Sequence, residues 1–239
     1  MNNKEIDEIY KAKKDVFYFA ELCLGTELYK HQDVMLDNLL SGDSLNVAFR
    51  QAGTTTVHAI FFLWKALFNT NHTYAYLSNN SSSGTAFLEI VKKLHDRLPI
   101  YLQSTVVQKS TQYIKFSSNS IIFQRGFSAN ALRGFSFNAL IVDNLCFVQH
   151  PEDFFKYIIP CTASTNAKIH LCTSLNHKFD LTNFILMMGL YRDYEISTFS
   201  YEESELFNEN VKRNLISMYG EENYKLEYAC ILPEVSDAK

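Results

Sequence analysis

Apolar residues change their spacing along this chain, and the changes mark out its elements. Over residues 4–24, Ile6, Ile9, Tyr10, Phe17, Phe19, Ala20 and Leu24 recur roughly as one buried helix face would, and Gly25 closes the run. A second helix is expected over about 30–40, with Val34, Met35, Leu36, Leu39 and Leu40 inside and Ser41-Gly42 as its stop. Residues 45–49 are a short apolar run of the kind a buried strand uses. The polar turn Arg50-Gln51-Ala52-Gly53 follows, then a helix over about 55–68. Residues 73–77 read as the next strand, and 84–98 as a helix ending at Pro99.

The middle of the chain changes character. Residues 113–116 and 121–123 are β-type runs separated by Ser117-Ser118-Asn119-Ser120, a hairpin signal. Residues 139–142 form another apolar strand closing on Asp143; 168–172 and 195–199 are further candidates, and about 202–229 reads as helical and charged. Strands alternating with helices predict a mostly parallel α/β sheet with helices on both faces and a small antiparallel insertion. No repeat, low-complexity tract or linker interrupts it, so one domain is expected.

Composition narrows the classes. The 239 residues are 47% hydrophobic and 20% charged, enough for one sizeable core. Lys plus Arg is 22 against 26 Asp plus Glu, a net charge of −4, which excludes a wholly basic nucleic-acid coat but leaves room for a local basic patch. With 8 glycines in the chain, few are available for a phosphate-binding loop. Five cysteines without a C-x-x-C pair, and a charged N-terminus lacking an apolar core, predict a reduced, intracellular protein without a signal peptide. The apolar stretches 59–68 and 181–190 are too short to span a bilayer. The histidines show no metal-ligand spacing, and neither Cys146 nor Ser174 has an evident base beside it.

In open α/β sheets ligands bind beyond the carboxyl ends of the strands. After the first strand stands Arg50-Gln51-Ala52-Gly53-Thr54-Thr55-Thr56, running directly into a helix, the place of a P-loop. The consensus G-x-x-x-x-G-K-[ST] would fall on Ala48, Gly53, Thr54 and Thr55, so Gly53 and Thr55 match and the first glycine and the lysine do not. Ala139-Leu140-Ile141-Val142-Asp143 has the layout of a Walker B strand, whose acid helps to hold Mg²⁺. Taken singly, each is also what an ordinary strand–turn–helix or buried strand contains.

Their order is more specific. Five segments, taken together, resemble the ATPase domain of the large terminase subunit, the DNA-packaging motor of tailed bacteriophages. Residues 17–32, FYFAELCLGTELYKHQ, are similar to the family's N-terminal segment, with Tyr29 and Gln32 at the adenine-contacting positions. FRQAGTTT, 49–56, is similar to the family's Walker A form, which often lacks the first glycine; Arg50 matches the arginine proposed to act in cis on the γ-phosphate. Residues 112–143 match the hairpin, the Leu132-Arg133-Gly134 segment and the Walker B strand. Residues 171–176 match the coupling motif, with Thr173 and Ser174 as its γ-phosphate sensors, and 222–228 the end of the ATPase domain.

The resemblance implies a three-layer α/β P-loop NTPase of the additional-strand type, mostly parallel with a small antiparallel hairpin. It divides the chain into helices over the adenine site (1–44), a P-loop core (45–200) and C-terminal helices (201–239) leading to a nuclease domain that the chain does not reach, so no nuclease activity is expected. Gln51, Ala52, Gly53, Thr54, Thr55 and Thr56 would bind nucleotide, and Thr55 with Asp143 would hold Mg²⁺. ATP and Mg²⁺ are the implied cofactors. Double-stranded DNA, the portal protein and the small terminase subunit are the implied partners. The implied setting is a homo-oligomeric ring on the portal in the host cytoplasm, with the isolated domain monomeric and no membrane.

Two positions depart from that pattern. Thr54 stands where the P-loop lysine belongs, and Asn144 where the water-activating glutamate belongs. A hydroxyl cannot replace the lysine charge on the phosphates, and an amide cannot take a proton from water. Impaired hydrolysis is the expectation. An engineered trap, a natural degenerate ATPase, or rescue by Arg50, Glu152 or Asp153 would each account for the sequence. A non-hydrolysing scaffold that binds nucleotide, DNA or motor subunits is the competing reading. Two basic clusters (Lys92, Lys93 and Arg97; Lys11, Lys13 and Lys14) read either as phosphate or subunit contacts or as solvated helix faces. Arg133-Gly134 matches a family arginine-glycine near the pocket, while Phe123, Phe127, Phe135 and Phe137 read as core and interface and Met187-Met188 as core filling.

Overall fold

The computed structural model describes residues 2–162 and 165–231, so the expected C-terminal segment 201–239 is followed only to Ile231. Helices α1 (Asn3–Lys14), α2 (Val16–Leu24) and α3 (Lys30–Ser41) precede the first strand, β1 (Ser44–Ala48). Then come α4 (Thr54–Phe68), β2 (Thr73–Ser78), α5 (Ser81–Arg97), β3 (Val106–Lys109), β4 (Tyr113–Phe116), β5 (Ile121–Gly126) and β6 (Ala139–Asp143). The chain continues through β7 (Lys168–Thr173), α6 (Leu181–Gly189), β8 (Glu195–Phe199), α7 (Glu209–Tyr219) and α8 (Glu221–Glu227).

All eight strands join one sheet in the order β3-β4-β5-β2-β6-β7-β1-β8. From β5 to β8 every pairing is parallel; β3 and β4 add an antiparallel hairpin at one edge. Strand β7 lies between β1 and β6, the extra strand that defines the additional-strand class, as expected. Right-handed crossovers put α4 and α5, which run one way across the sheet, on one face, and the β5–β6, β6–β7 and β7–β8 connections on the other. Strands β1 and β6 are buried at every position, which is why they read as unbroken apolar runs. Between the sheet and α4–α5, Tyr76 stacks on Phe87 with centroids 3.8 Å apart, and Phe62 packs edge-on to Phe87.

Several boundaries differ from the sequence reading. The helix expected over 4–24 is two helices, because Asp15 leaves the helical conformation and its carboxylate accepts the Phe17 and Tyr18 N–H groups. The apolar period survives such a break, so periodicity alone passes over it. Strand β3 escaped notice because it is a largely exposed edge without an apolar face. Of the charged stretch 202–229, Glu209–Tyr219 and Glu221–Glu227 are α7 and α8, broken at Gly220, whose φ of 83° suits glycine, while 204–208 are not helical. Residues 181–190, noted for their apolarity, mostly form α6; Met188 is buried there but Met187 is not. Phe123 and Phe137 are core as expected, whereas Phe135 is exposed and stacks on Phe123.

Two histidines lie deep in this core. Burial holds His58 neutral, lowering its pKa, and burial first of all lowers His170 to about 3, helped by the nearby ammonium groups of Lys65 and Lys168. Both pKa values are depressed in the fold, so the unfolded chain takes up their protons first as pH falls. Their contribution is fully present above the ordinary histidine pKa of about 6.5 and declines below it by about 1.4 kcal/mol per pH unit for each group. We expect the urea midpoint to fall between about pH 6.5 and 5, and His170→Phe to flatten that slope. A midpoint equally steep in the variant would remove His170 from the account.

Candidate functional site

The register decides where a ligand can sit. Val47 of β1 lies beside Thr173 of β7, and Asp143 of β6 beside Cys172, so three parallel strands end together. The chain leaves β1 through residues 49–53 and enters α4. Gln51 (φ 71°) and Gly53 (φ 82°) take left-handed conformations that wrap the turn back onto the helix. The first-turn N–H groups of α4 have no intrahelical acceptors and carry the positive end of the helix dipole. That combination attracts phosphate.

A cavity of about 290 Å³ opens over this turn. It is lined by Arg50, Gln51, Ala52, Gly53, Thr54 and Thr55 of the turn and helix, Asp143 and Asn144 after β6, and Thr173 and Ser174 after β7. Ten of the thirteen residues singled out in the sequence therefore meet in one place. A larger cavity, about 380 Å³, lies beside β3 and α5, but it is away from the strand carboxyl ends and has no phosphate turn. The remaining three stand outside the cleft. Thr56 donates its N–H to the Gly53 carbonyl at 3.0 Å. Gln32 braces the turn from behind, its Nε2 donating to the Ala52 carbonyl at 3.0 Å, and Tyr29 is exposed with its ring parallel to that of His31. His31 Nε2 also lies 3.0 Å from the Ala52 carbonyl.

This brace makes Gly53 sensitive. A Cβ at Gly53 would lie 2.3 Å from Gln32 Nε2, on a backbone with φ of 82°. We expect Gly53→Ala to cost about 1–2 kcal/mol from the left-handed backbone alone, measurable by urea unfolding. Adding Gln32→Ala should recover only the part due to the clash. Full recovery would show that the backbone conformation costs nothing there.

Arg50 is held in an ion pair. Its guanidinium pairs with Glu227 of α8 at 3.1 Å, its N–H donates to the Glu227 carbonyl at 2.8 Å, and the carboxylate raises its pKa. Thr54 reaches the Cys172 thiol, which burial, reinforced by Asp143, keeps protonated. Among the described residues that line the cleft Arg50 carries the one positive side chain, and it is paired with Glu227 rather than standing where the lysine would. Asn144 occupies the left-handed region (φ 58°, ψ 41°), which asparagine tolerates better than residues with longer side chains. Glu152 faces His150 at 3.4 Å, and neither it nor Asp153 lines the cleft, so this geometry offers no acid in place of the glutamate.

Two further contacts were not anticipated. The Tyr76 hydroxyl of β2 donates to Asp143 Oδ2 and is also reached by the Thr55 side chain, while the Asn144 N–H donates to Oδ1 at 3.0 Å. Burial, then the Asp143 charge, pushes the Tyr76 pKa well up, so the hydroxyl stays a donor. Only strand order reveals this pair: Tyr76 lies opposite Ile141, two residues before Asp143, on the neighbouring strand. Thr173 Oγ1 accepts the Cys146 N–H at 2.9 Å and donates to the Ser174 carbonyl at 2.7 Å, tying the end of β7 to the turn after β6.

The basic clusters are partly occupied. Lys92 pairs with Glu89, Lys11 lies over the Tyr18 ring and Lys14 over that of Tyr10. Arg125 lies over Phe123 and Phe135 and Arg133 over Tyr157, and neither arginine lines the cleft.

An extra strand between the phosphate-turn strand and the acid-terminated strand, with the cleft above them, defines a P-loop NTPase fold of the additional-strand class. Residues 47–164, which span the phosphate turn and the β6 acid, match the family described as "Terminase large subunit, T4likevirus-type, N-terminal". The fold agrees. The large terminase ATPase domain of Thermus phage P74-26 superposes with a TM-score of 0.66 at 15% identity, covering 87% of this chain and 95% of that one. The large terminase of another thermophilic bacteriophage, in complex with ADP, gives 0.65 at 13% identity, covering 84% and 52%. The HK97 bacteriophage large terminase gives 0.62 at 17%, covering 86% and 47%. The chain thus spans about half the length of the last two proteins.

Proposed function

We propose that this domain is the nucleotide-binding module of a viral DNA-packaging motor and that, with Thr54 and Asn144 in place, it holds ATP with little turnover. The observation that carries the reading is the phosphate turn, the β6 acid and the β7 threonine meeting in one cleft without a lysine or a water-activating acid. The ADP complex of the thermophilic phage terminase supports a nucleotide as the ligand. Gln51 to Thr55 would cradle phosphates through backbone N–H groups, and Gln32 would keep the turn in shape. Arg50 would have to leave Glu227 to reach a γ-phosphate. Tyr29 would meet the adenine.

Among the described residues no three His, Cys, Asp or Glu side chains cluster as metal ligands, so any metal would arrive with the nucleotide. Thr55 and Asp143 are the oxygen donors present, and they suit Mg²⁺, which keeps waters and phosphate oxygens as its other ligands. When bound, Mg²⁺ would neutralise phosphate charge. Thr173, through Cys146, would pass any movement of the β7 end to the turn that carries Asn144.

In this reading residues 1–44 form the adenine side, 45–200 the core and 201–239 the exit towards a further domain. Double-stranded DNA, a portal protein and a small terminase subunit are the partners, met in a ring in the host cytoplasm; the isolated domain is monomeric. No helix among the described residues is long and apolar enough to cross a membrane. The competing reading, a scaffold without turnover that binds DNA or motor subunits, shares the cleft and draws on the same two substitutions. Calorimetry with Mg-ATP and with ADP tests the common ground. Heat of saturable binding by the chain as it stands is expected; its absence for both nucleotides would sink the nucleotide reading.

A further inference from the structure

A third cavity, about 210 Å³, opens at the other end of the sheet, by the amino-terminal ends of β2, β6 and β7. Its wall carries Lys65 from the last turn of α4, His72 ahead of β2, and Lys168 and His170 of β7, with Asn69 and Asn138 beside them. No carboxylate lines it among the described residues. Asp43, which comes near this end through β7, is committed elsewhere: it accepts from Arg192 at 3.0 Å and from the Ile169 N–H at 2.8 Å.

The two lysines here, Lys65 and Lys168, have no acidic partner among the described residues. Lys65 Nζ lies instead 5.3 and 5.4 Å from the ring centroids of Trp64 and Phe61, and burial lowers its pKa. His170 is 1% exposed; its Nδ1 lies 3.1 Å from Ser44 Oγ, while its Nε2 has no hydrogen-bond partner among the described residues. A buried polar atom left unpaired calls for an explanation, and a ligand bound in the adjoining cavity, whose wall includes His170, is one. The surrounding frame is firm. The Tyr74 hydroxyl donates to the Lys65 carbonyl at 3.1 Å and so accepts from His72 Nδ1 at 3.0 Å.

We propose that this cavity is an oxyanion site that takes a phosphate-sized ion, with His170 Nε2 and the Lys65 and Lys168 ammonium groups as its donors. The cavity is smaller than the roughly 300–1,000 Å³ typical of small-molecule sites. It is also smaller than the nucleotide cleft and has room for a phosphate with a few waters. A phosphodiester of a nucleic acid has the same chemistry, but His170 lies on the floor, and a free ion reaches it more readily than a duplex backbone does. The site is independent of the nucleotide cleft and shares no residue with it.

Inorganic phosphate is the probe. The phosphate turn also attracts it, so the readout is local: the His170 Cε1–H resonance in a ¹H–¹³C spectrum, assigned through His170→Gln. A saturable shift on titration is expected, weakened at least about tenfold in Lys65→Met/Lys168→Gln. Lys168 is exposed, so Lys168→Gln alone, with the His58 resonance unmoved, provides a folded variant that should also bind more weakly. Duplex DNA that displaces phosphate at His170 would make the occupant a backbone phosphate; DNA without effect leaves the free ion. A His170 resonance unmoved by phosphate overturns the site. So does a non-saturating shift of equal size in the variants, which would mean an adventitious ion only.

Discussion

Thr54→Lys/Asn144→Glu is expected to hydrolyse Mg-ATP at least about a hundredfold faster than the chain as it stands, in a phosphate-release assay. Removing one preorganised stabilising group from an active site commonly costs a factor of about 10²–10³, and two groups are absent here. Their effects are not additive, because a lysine on the phosphates and a glutamate on the water act in the same transition state. Each single restoration should therefore recover little. The structure adds a cost that the motif alone does not show. Position 144 has φ of 58°, where asparagine is tolerated and glutamate is strained, so Asn144→Glu should lower stability by about 1 kcal/mol. If the unaltered chain turns over ATP as fast as the double variant, the disarmed reading fails. If neither variant nor parent hydrolyses ATP but all bind it, the scaffold reading stands.

Tyr76→Phe should destabilise the protein by about 1.5–3 kcal/mol, the range for removing a hydrogen bond to a charged group. The ring keeps its stack on Phe87, so the loss isolates the hydroxyl. Asp143 is 4% exposed and would keep the Asn144 N–H as its remaining donor among the described residues. Asp143→Asn in the Tyr76→Phe background should then recover much of the loss, because the uncompensated carboxylate is gone. Urea unfolding of the two single variants and the double variant measures the coupling directly. A coupling near zero would mean that Tyr76 supports Asp143 through packing alone. In the nucleotide-bound protein the same hydroxyl would sit beside the carboxylate and the Thr55 side chain, so Tyr76→Phe should also change how strongly nucleotide affinity depends on Mg²⁺.

The phosphate turn was legible because its chemistry is local. A short apolar run, a glycine at the end of a polar turn and threonines at a helix start occupy consecutive positions, and the proposed binding uses backbone N–H groups, whatever the neighbours are. Asp143 was legible for the same reason, as an acid ending an apolar strand. Thr54 stood out against the P-loop consensus, and Asn144 only as a departure from a resemblance. Tyr76, Cys172 and Glu227 were not legible, because each reaches the site across the sheet or from the C-terminal helix. Glu227 is separated from Arg50 by 177 positions, and no spacing rule connects them.

Helix and strand content, the parallel class and the phosphate turn follow from the chain's own pattern, since hydrophobic period and backbone stereochemistry act between near neighbours. Strand order does not. Placing β7 between β1 and β6 brings Thr173 to Cys146 and lines up three carboxyl ends, and it needs the packing of the whole sheet. The pairing of Arg50 with Glu227, the left-handed Asn144, the hydroxyl on Asp143 and the unpaired Nε2 of His170 at the opposite end of the sheet are products of that packing. Long-range side-chain contacts depend on which strands become neighbours, and that is settled only when the core closes.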